Sequence, residues 1–140
     1  MKKTLWIAIM SFAIACSSTP SGSDAGDDSG NPGNDAAAAV NGCTTFTDMT
    51  TGTATITGPT GVAPAQYAPN CVHVKVGQSV TWNSDFGNHP LAPSGGDTPT
   101  PIVATATGTT VSYTFSSAGT FGFHCNFHPT IMFGAVQVTP

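Results

Sequence analysis

Apolar and polar residues alternate along much of residues 41–140, and this period of two is the pattern of a β-strand. In the clearest stretch, 71–76, a valine stands at every second position, so that three valines share one face. Further alternating stretches are residues 53–57, 79–83, 110–115, 119–125 and 136–138. Six or more such segments in about 100 residues, separated by turns rich in Gly and Pro, predict an all-β sandwich of two sheets.

One long segment interrupts this pattern. Residues 87–108 are rich in Pro, Gly and Thr and show no sustained alternation. They are therefore predicted to form a long connection between strands, and a long connection in a compact domain is often functional.

The first sixteen residues have the pattern of an export signal. Two lysines precede an apolar run, 5–15, which is much shorter than the roughly twenty residues needed to span a bilayer. The run ends in Ala-Ile-Ala followed by Cys16, which resembles the lipobox of bacterial lipoproteins, where the cysteine is acylated. The alternative is ordinary cleavage with loss of Cys16. Both predict an exported protein, in the bacterial periplasm or anchored to the outer membrane as a lipoprotein, where disulfides persist.

Residues 17–40 are predicted to be a disordered tether between this signal and a folded domain, 41–140. The segment contains no aromatic residue and one branched aliphatic residue, Val40. It cannot bury enough apolar surface to offset its chain entropy. If Cys16 carries a lipid, the tether holds the domain clear of a membrane. Otherwise it is a flexible N-terminus.

The charge of the chain excludes several classes of protein. Only 7% of the residues are charged, with three Lys and seven Asp. Nucleic-acid binding through phosphate neutralisation needs several cations on one face, and this chain lacks them. A coiled coil would be rich in Ala, Glu, Lys and Leu, which is not the composition found.

Four residues could together hold one metal ion. Cys125, His128 and Met132 follow one another on a short loop between two predicted strands, and His89 lies in the long connection. Two imidazoles, one thiolate and a weak thioether form the ligand set of a blue, type 1, copper site. A thiolate and a thioether are soft donors that favour copper, and imidazole suits both of its oxidation states.

With these residues in place, the domain resembles the cupredoxins of the plastocyanin, pseudoazurin and amicyanin type. The resemblance also rests on residues 72–82, on 118–125, which enter the site, and on the closing segment 132–138. It implies an all-β Greek-key sandwich of about seven to eight strands that binds one copper ion. Carried over residue by residue, it implies that His89, Cys125 and His128 are equatorial ligands and that Met132 is the axial ligand.

Two features depart from the family. Three residues separate His128 from Met132, whereas plastocyanin has four and amicyanin has two at this place. The second departure is a single position. The residue after the first histidine is usually Asn, whose backbone N–H can donate a hydrogen bond to the copper thiolate. Here it is Pro90, which has no N–H. A hydrogen bond to the sulfur stabilises Cu(I), so its loss is expected to lower the reduction potential.

The function that the resemblance implies is single-electron transfer between a donor and an acceptor protein, with His128 as the electron port. These partners are expected to dock transiently on an apolar collar, and the protein itself is expected to be a monomer. The collar is predicted to comprise Phe127, Pro129, Ile131, Met132, Pro90 and Leu91.

The alternatives are a copper protein with another role and an enzyme. A copper storage, buffering or delivery lipoprotein would have several Met-rich or Cys-rich sites, and the chain has four Met in all. A multicopper oxidase needs His on both sides of its Cys, whereas Asn126 follows Cys125. A thiol hydrolase would need an exposed thiolate. The chain is therefore predicted not to be an enzyme.

The remaining cysteines and histidines are assigned to structural roles. Cys43 and Cys71 are left once Cys16 and Cys125 are assigned, and they are predicted to form a disulfide worth about 3–4 kcal/mol. His124 is adjacent to Cys125 on a strand and should therefore face the opposite side. His73 lies between valines and should face outward in the same way.

Overall fold

The computed structural model describes residues 39–61 and 66–140. The predicted signal, with Cys16, and residues 17–38 of the predicted tether lie outside the described residues. Among the residues that are described, no helix has the length and apolar character needed to cross a membrane.

In the described part of the chain, one short 3₁₀ turn (Val40–Gly42) precedes eight strands. The strands are β1 (Thr47–Asp48), β2 (Ala54–Thr57), β3 (Cys71–Lys75), β4 (Ser79–Asn83), β5 (Leu91–Gly96), β6 (Thr110–Thr114), β7 (Gly119–Cys125) and β8 (Phe133–Thr139). The predicted all-β class and number of strands are confirmed.

The strands form two sheets. The larger sheet has the order β1-β3-β8-β7-β5, and the smaller one has the order β2-β4-β6. In the larger sheet β3 runs parallel to β8, while β7 is antiparallel to both β8 and β5. Most neighbouring strands are therefore distant in sequence, and the two sheets together form a β-sandwich.

The core lies between the two sheets and follows the alternation of the sequence. Val72 and Val74 of β3 are buried, as are Phe121 and Phe123 of β7. The rings of Trp82 on β4 and Phe123 on β7 meet edge to face with their centroids 5.3 Å apart. A contact of this kind between sheets adds about 0.5–1.5 kcal/mol to the stabilisation that comes from area burial.

The structure corrects the prediction for the long connection. Residues 87–108 contain β5, which lies at the edge of the larger sheet and pairs with β7. Its sequence includes Pro93, and its register with β7 shifts between Pro93 and Gly96. Proline is tolerated on an edge strand because one side of that strand forms no ladder. The bulge and the proline explain why the period of two is not visible there.

Two smaller expectations also need correction. Val76 does not share the buried face of β3, because the strand ends at Lys75 and Val76 is 41% exposed. It precedes a turn at Gly77, whose φ of 90° is in the left-handed region. Val40, which the sequence placed at the end of the tether, instead begins the 3₁₀ turn.

The predicted disulfide is present. Cys43 and Cys71 are bonded, and they are separated by 28 positions in the sequence. A closed loop of this length is worth about 3–4 kcal/mol in the chain-entropy description. The bridge attaches the segment ahead of β1 to the first residue of β3.

Candidate metal centre

The pairing of β5 with β7 brings the predicted ligands to one end of the larger sheet. Leu91, the first residue of β5, is the register partner of Cys125, the last residue of β7. His89 lies two positions before Leu91, so it reaches the same end as Cys125. His128 and Met132 lie on the loop that leads from β7 into β8.

Three of the four predicted ligands form a compact cluster. The Sγ atom of Cys125 lies 3.9 Å from Nδ1 of His89 and 3.6 Å from Nδ1 of His128. The candidate ligand atoms of the three residues all lie within 4.8 Å of one another. A metal ion bonds to such atoms at about 2.0–2.3 Å, so one ion between them can reach all three. The geometry and the donor chemistry therefore both fit copper.

A hydrogen bond from Nε2 fixes the orientation of the His89 ring. Nε2 donates a hydrogen bond to the backbone carbonyl of Gly61 at 2.6 Å, and the residue is fully buried. With the proton on Nε2, the lone pair of Nδ1 points toward the thiol of Cys125. A backbone carbonyl behind a metal-binding histidine commonly fixes its tautomer in this way.

The loop that carries His89 is held by Asp85. Its backbone carbonyl accepts the N–H of His89 at 2.8 Å. Its carboxylate accepts hydrogen bonds from the side chain of Asn88 at 2.6 Å and from the N–H of Gly87 at 3.2 Å. The bond from the Asn88 side chain is the main cause that holds the pKa of Asp85 below its usual value.

The loop between β7 and β8 is closed by bonds among the predicted ligands themselves. The N–H of Cys125 donates to the carbonyl of Met132 at 2.8 Å, and the N–H of Met132 donates to the carbonyl of His128 at 2.9 Å. The N–H of His128 donates to the carbonyl of Cys125 at 3.1 Å. The side chain of Met132 is fully buried. Its axial role stays a prediction.

A backbone hydrogen bond joins the two ligand loops. The N–H of Asn126 donates to the carbonyl of Pro90 at 2.8 Å. Proline cannot donate to the thiolate, but its carbonyl still provides a connection between the loops.

Tyr67 was not predicted to lie near the site. This residue is 2% exposed, and its ring meets that of Phe123 edge to face with centroids 5.2 Å apart. Burial, reinforced by the nearby Cys125, raises the pKa of the phenol above its usual value. Tyr67 therefore stays neutral beside the site. Gly61 was also not predicted, because it acts through its backbone and leaves no side-chain signal.

The predicted collar is only partly correct. Pro90, Leu91 and Met132 are buried, because β5 begins under the ligand loop and Met132 points into the core. The exposed members are Phe127, at 64%, and Ile131, at 45%, together with Pro129. These three residues, on the same loop as the half-buried His128, are called the apolar patch below.

The other two histidines lie outside the cluster. Nε2 of His124 is 2.9 Å from Oδ1 of Asn126, and Nε2 of His73 is 2.8 Å from Oγ1 of Thr139. Both histidines are half-buried and alternate with buried neighbours. Their placement agrees with the expectation that they face away from the core.

A His–Cys–His cluster at one end of a β-sandwich fits a copper-binding protein. Residues 54–139 match the family described as copper binding proteins, plastocyanin/azurin family. The chain belongs to that family and is a cupredoxin, with one copper ion as its cofactor.

Several solved structures are similar to the chain. A reduced amicyanin variant is 28% identical, with a TM-score of 0.44, over 62% of this chain and 82% of that chain. A purple cupredoxin from Nitrosopumilus maritimus is 27% identical, with a TM-score of 0.46, over 61% and 98%. A copper-containing nitrite reductase from Thermus scotoductus is 19% identical, with a TM-score of 0.48, over 61% of this chain and 22% of that chain. No curated protein matches.

Proposed function

We propose that this cupredoxin carries single electrons between a donor protein and an acceptor protein. Bound copper supplies a one-electron couple between Cu(I) and Cu(II). The observation that carries the proposal is the burial of the donor cluster and the hydrogen bonding of its loops. His89 and Cys125 are fully buried, and backbone hydrogen bonds hold both ligand loops. Donors that are held in this way change position little when the charge of the ion changes, which favours fast electron transfer.

His128 is the proposed electron port. It is half-buried, its Nδ1 faces Cys125, and it lies on the loop that exposes Phe127 and Ile131. A partner that covers the apolar patch therefore comes close to the imidazole of His128. The small size of the patch suits transient docking, at the low end of protein interface sizes.

The proposed docking is apolar rather than electrostatic. In the described residues the charged side chains are Lys75, Asp48, Asp85 and Asp97. Lys75 and Asp48 are on β3 and β1, and Asp97 accepts the N–H of Thr120 at the far end of β7. Asp85 lies on the loop of His89, where its carboxylate accepts hydrogen bonds from Asn88 and Gly87. Residues 126–132 contain no Asp or Lys. A partner with an uncharged apolar face fits this surface, and long-range steering contributes little.

The proposed location is outside the cytoplasm, either in the periplasm or on a lipid anchor at Cys16. The Cys43–Cys71 disulfide supports this location, since such bonds persist in oxidising compartments. A carrier role without enzymatic activity is also part of the proposal. It rests on the sequence, in which Asn126 follows Cys125 where a multicopper oxidase needs His.

Copper titration of the full chain tests the proposal. Adding Cu(II) should produce a strong visible thiolate-to-copper band that ascorbate bleaches and an oxidant restores. The matched controls are Cys125→Ser, which should lose the band, and His124→Ala, which should retain it. A protein that binds Cu(I) but never develops the band would contradict the proposal and favour copper buffering or delivery.

A further inference from the structure

The segment ahead of β1 packs against the sheet that carries the predicted ligands. We define residues 39–43 as the N-terminal strap. Its 3₁₀ turn contacts β5, β7 and β8. The disulfide of Cys43 with Cys71 holds one end of the strap. The strap therefore connects the edge strand β5 with β7 and β8, which lie further inside the sheet.

One side chain of the strap makes most of this connection. Nδ2 of Asn41 lies 3.1 Å from the carbonyl oxygen of Ser94, 3.1 Å from that of Phe123 and 2.9 Å from that of Gly134. These acceptors belong to β5, β7 and β8 respectively. The two N–H groups of one amide thus reach carbonyl oxygens on three strands, with one N–H shared between two acceptors.

The local sequence is suited to this arrangement. Asn41 has a φ of 50° and Gly42 a φ of 71°, and Asn is among the few residues besides Gly that readily adopt such a backbone. Gly122 lies beneath the strap. A Cβ there would collide with the Ser94 carbonyl oxygen and lie 2.7 Å from Cγ1 of Val40 and 2.8 Å from Nδ2 of Asn41.

The bulge in β5 provides one of the acceptors. Its register with β7 shifts between Pro93 and Gly96, so Ser94 has no register partner on β7. Asn41 donates to the carbonyl of Ser94 at this irregularity and at the same time to the carbonyls of the cross-strand pair Phe123 and Gly134.

Each acceptor is close in sequence to a predicted ligand or to its register partner. Phe123 lies two positions before Cys125, and Gly134 lies two positions after Met132. Ser94 is on the strand whose first residue pairs with Cys125. We propose that Asn41 is a positioning residue of the copper centre, which fixes the separation of the ligand loops by holding β5, β7 and β8 together. This role goes beyond electron transfer and does not depend on it.

Two variants of the full chain separate the amide from the backbone. Asn41→Gly removes the donor and retains the left-handed backbone. Asn41→Asp keeps the shape but places an acceptor against three carbonyl oxygens. The matched control is Thr114→Val, which removes a side-chain hydrogen bond of 2.7 Å to Ser79 on the smaller sheet.

Amide hydrogen exchange of the metal-free protein gives the first readout. The N–H of Cys125 bonds to the carbonyl of Met132, and the N–H of Asn126 bonds to the carbonyl of Pro90. In Asn41→Gly, both N–H groups should exchange about tenfold faster. Amides of β4 and β6 should keep their rates. Thr114→Val should leave Cys125 and Asn126 unchanged.

The copper-loaded protein gives the second readout. Both Asn41 variants should change the relative intensities of the thiolate-to-copper bands, with the larger change in Asn41→Asp, and the control should not. Faster exchange spread evenly over both sheets, with an unchanged spectrum, would overturn the proposal and leave Asn41 a general stabilising role. If Asn41→Asp does not fold, Asn41→Gly alone decides between these outcomes.

Discussion

The two loops that supply the predicted ligands are held in different ways. The His89 loop, residues 84–90, is fixed by Asp85 and by the Gly61 carbonyl, and its histidine is fully buried. The Cys–Met loop, residues 125–132, is fixed by hydrogen bonds among its own ligand residues and carries the apolar patch. The two loops therefore differ in their tasks. The His89 loop sets the ligand geometry, whereas the Cys–Met loop also presents the site to a partner.

The largest expected effect tests this difference in exposure. His89→Gly and His128→Gly should each abolish the visible band, since the trigonal ligand set loses an imidazole. Added imidazole should restore most of the band in His128→Gly, because that position is half-exposed, and little in His89→Gly. An absorbance titration with imidazole measures both. Equal recovery in the two variants would contradict the assignment of exposed and buried ligands.

The next effect concerns the apolar patch. The double variant Phe127→Ser with Ile131→Ser should slow electron self-exchange by about tenfold, because it removes the side chains that drive docking. The reduction potential should not change. Val103→Ser is the matched control, since Val103 is 62% exposed but lies outside the loop.

Ionic strength provides a check on the same rates. With no Asp or Lys in residues 126–132, self-exchange of the unmodified protein should vary little between low and high salt. A steep salt dependence would show that charges elsewhere on the domain steer the encounter, and the apolar description of docking would be wrong.

A smaller effect is expected at Asp85. Asp85→Ala removes the acceptor of two hydrogen bonds in the His89 loop and should speed copper release by roughly threefold. Asp97→Ala is the matched control, because Asp97 accepts the N–H of Thr120 at 2.7 Å at the opposite end of β7. Transfer of copper to a chelator measures both rates. If the two variants behave alike, Asp85 has no special part in holding His89.

The smallest effect is expected at Pro90. Pro90→Asn introduces a backbone N–H beside the ligand loops and should raise the reduction potential by roughly 40 mV, the one-electron equivalent of about 1 kcal/mol. Pro129→Asn, on the exposed side of the Cys–Met loop, is the control and should leave the potential unchanged. Spectroelectrochemical titration measures the shift, and no rise in Pro90→Asn would contradict the role given to the missing N–H.

The sequence predicted the parts of the molecule that depend on local pattern. Alternation located β3, β4, β6 and β7, and the spacing of Cys125 and His128 identified the loop that contributes two members of the His–Cys–His cluster. These predictions succeeded because the hydrophobic period and the residue spacing are local properties of the sequence.

The parts that were missed depend on tertiary context. β5 contains Pro93 and a bulge, so only its pairing with β7 makes it a strand. Leu91 looked like a surface residue of the collar until that pairing placed it in the core. Gly61 acts through its own backbone carbonyl on His89, and Asn41 acts on the backbone carbonyl of Ser94. Contacts of this kind join residues that are distant in sequence, and the type of the residue that supplies the carbonyl does not reveal them.

Because the Cys–Met loop is closed by its own hydrogen bonds, it should be possible to transfer it between related proteins. Its ends are joined by the hydrogen bond from Cys125 to Met132, and His128 is bonded to both of these residues. The loop therefore makes few demands on the sandwich beyond two antiparallel strand ends at the right separation. We expect such a cassette to be exchangeable as one unit with loops of other lengths, with the host supplying the distant histidine and the carbonyl that accepts the N–H of Asn126.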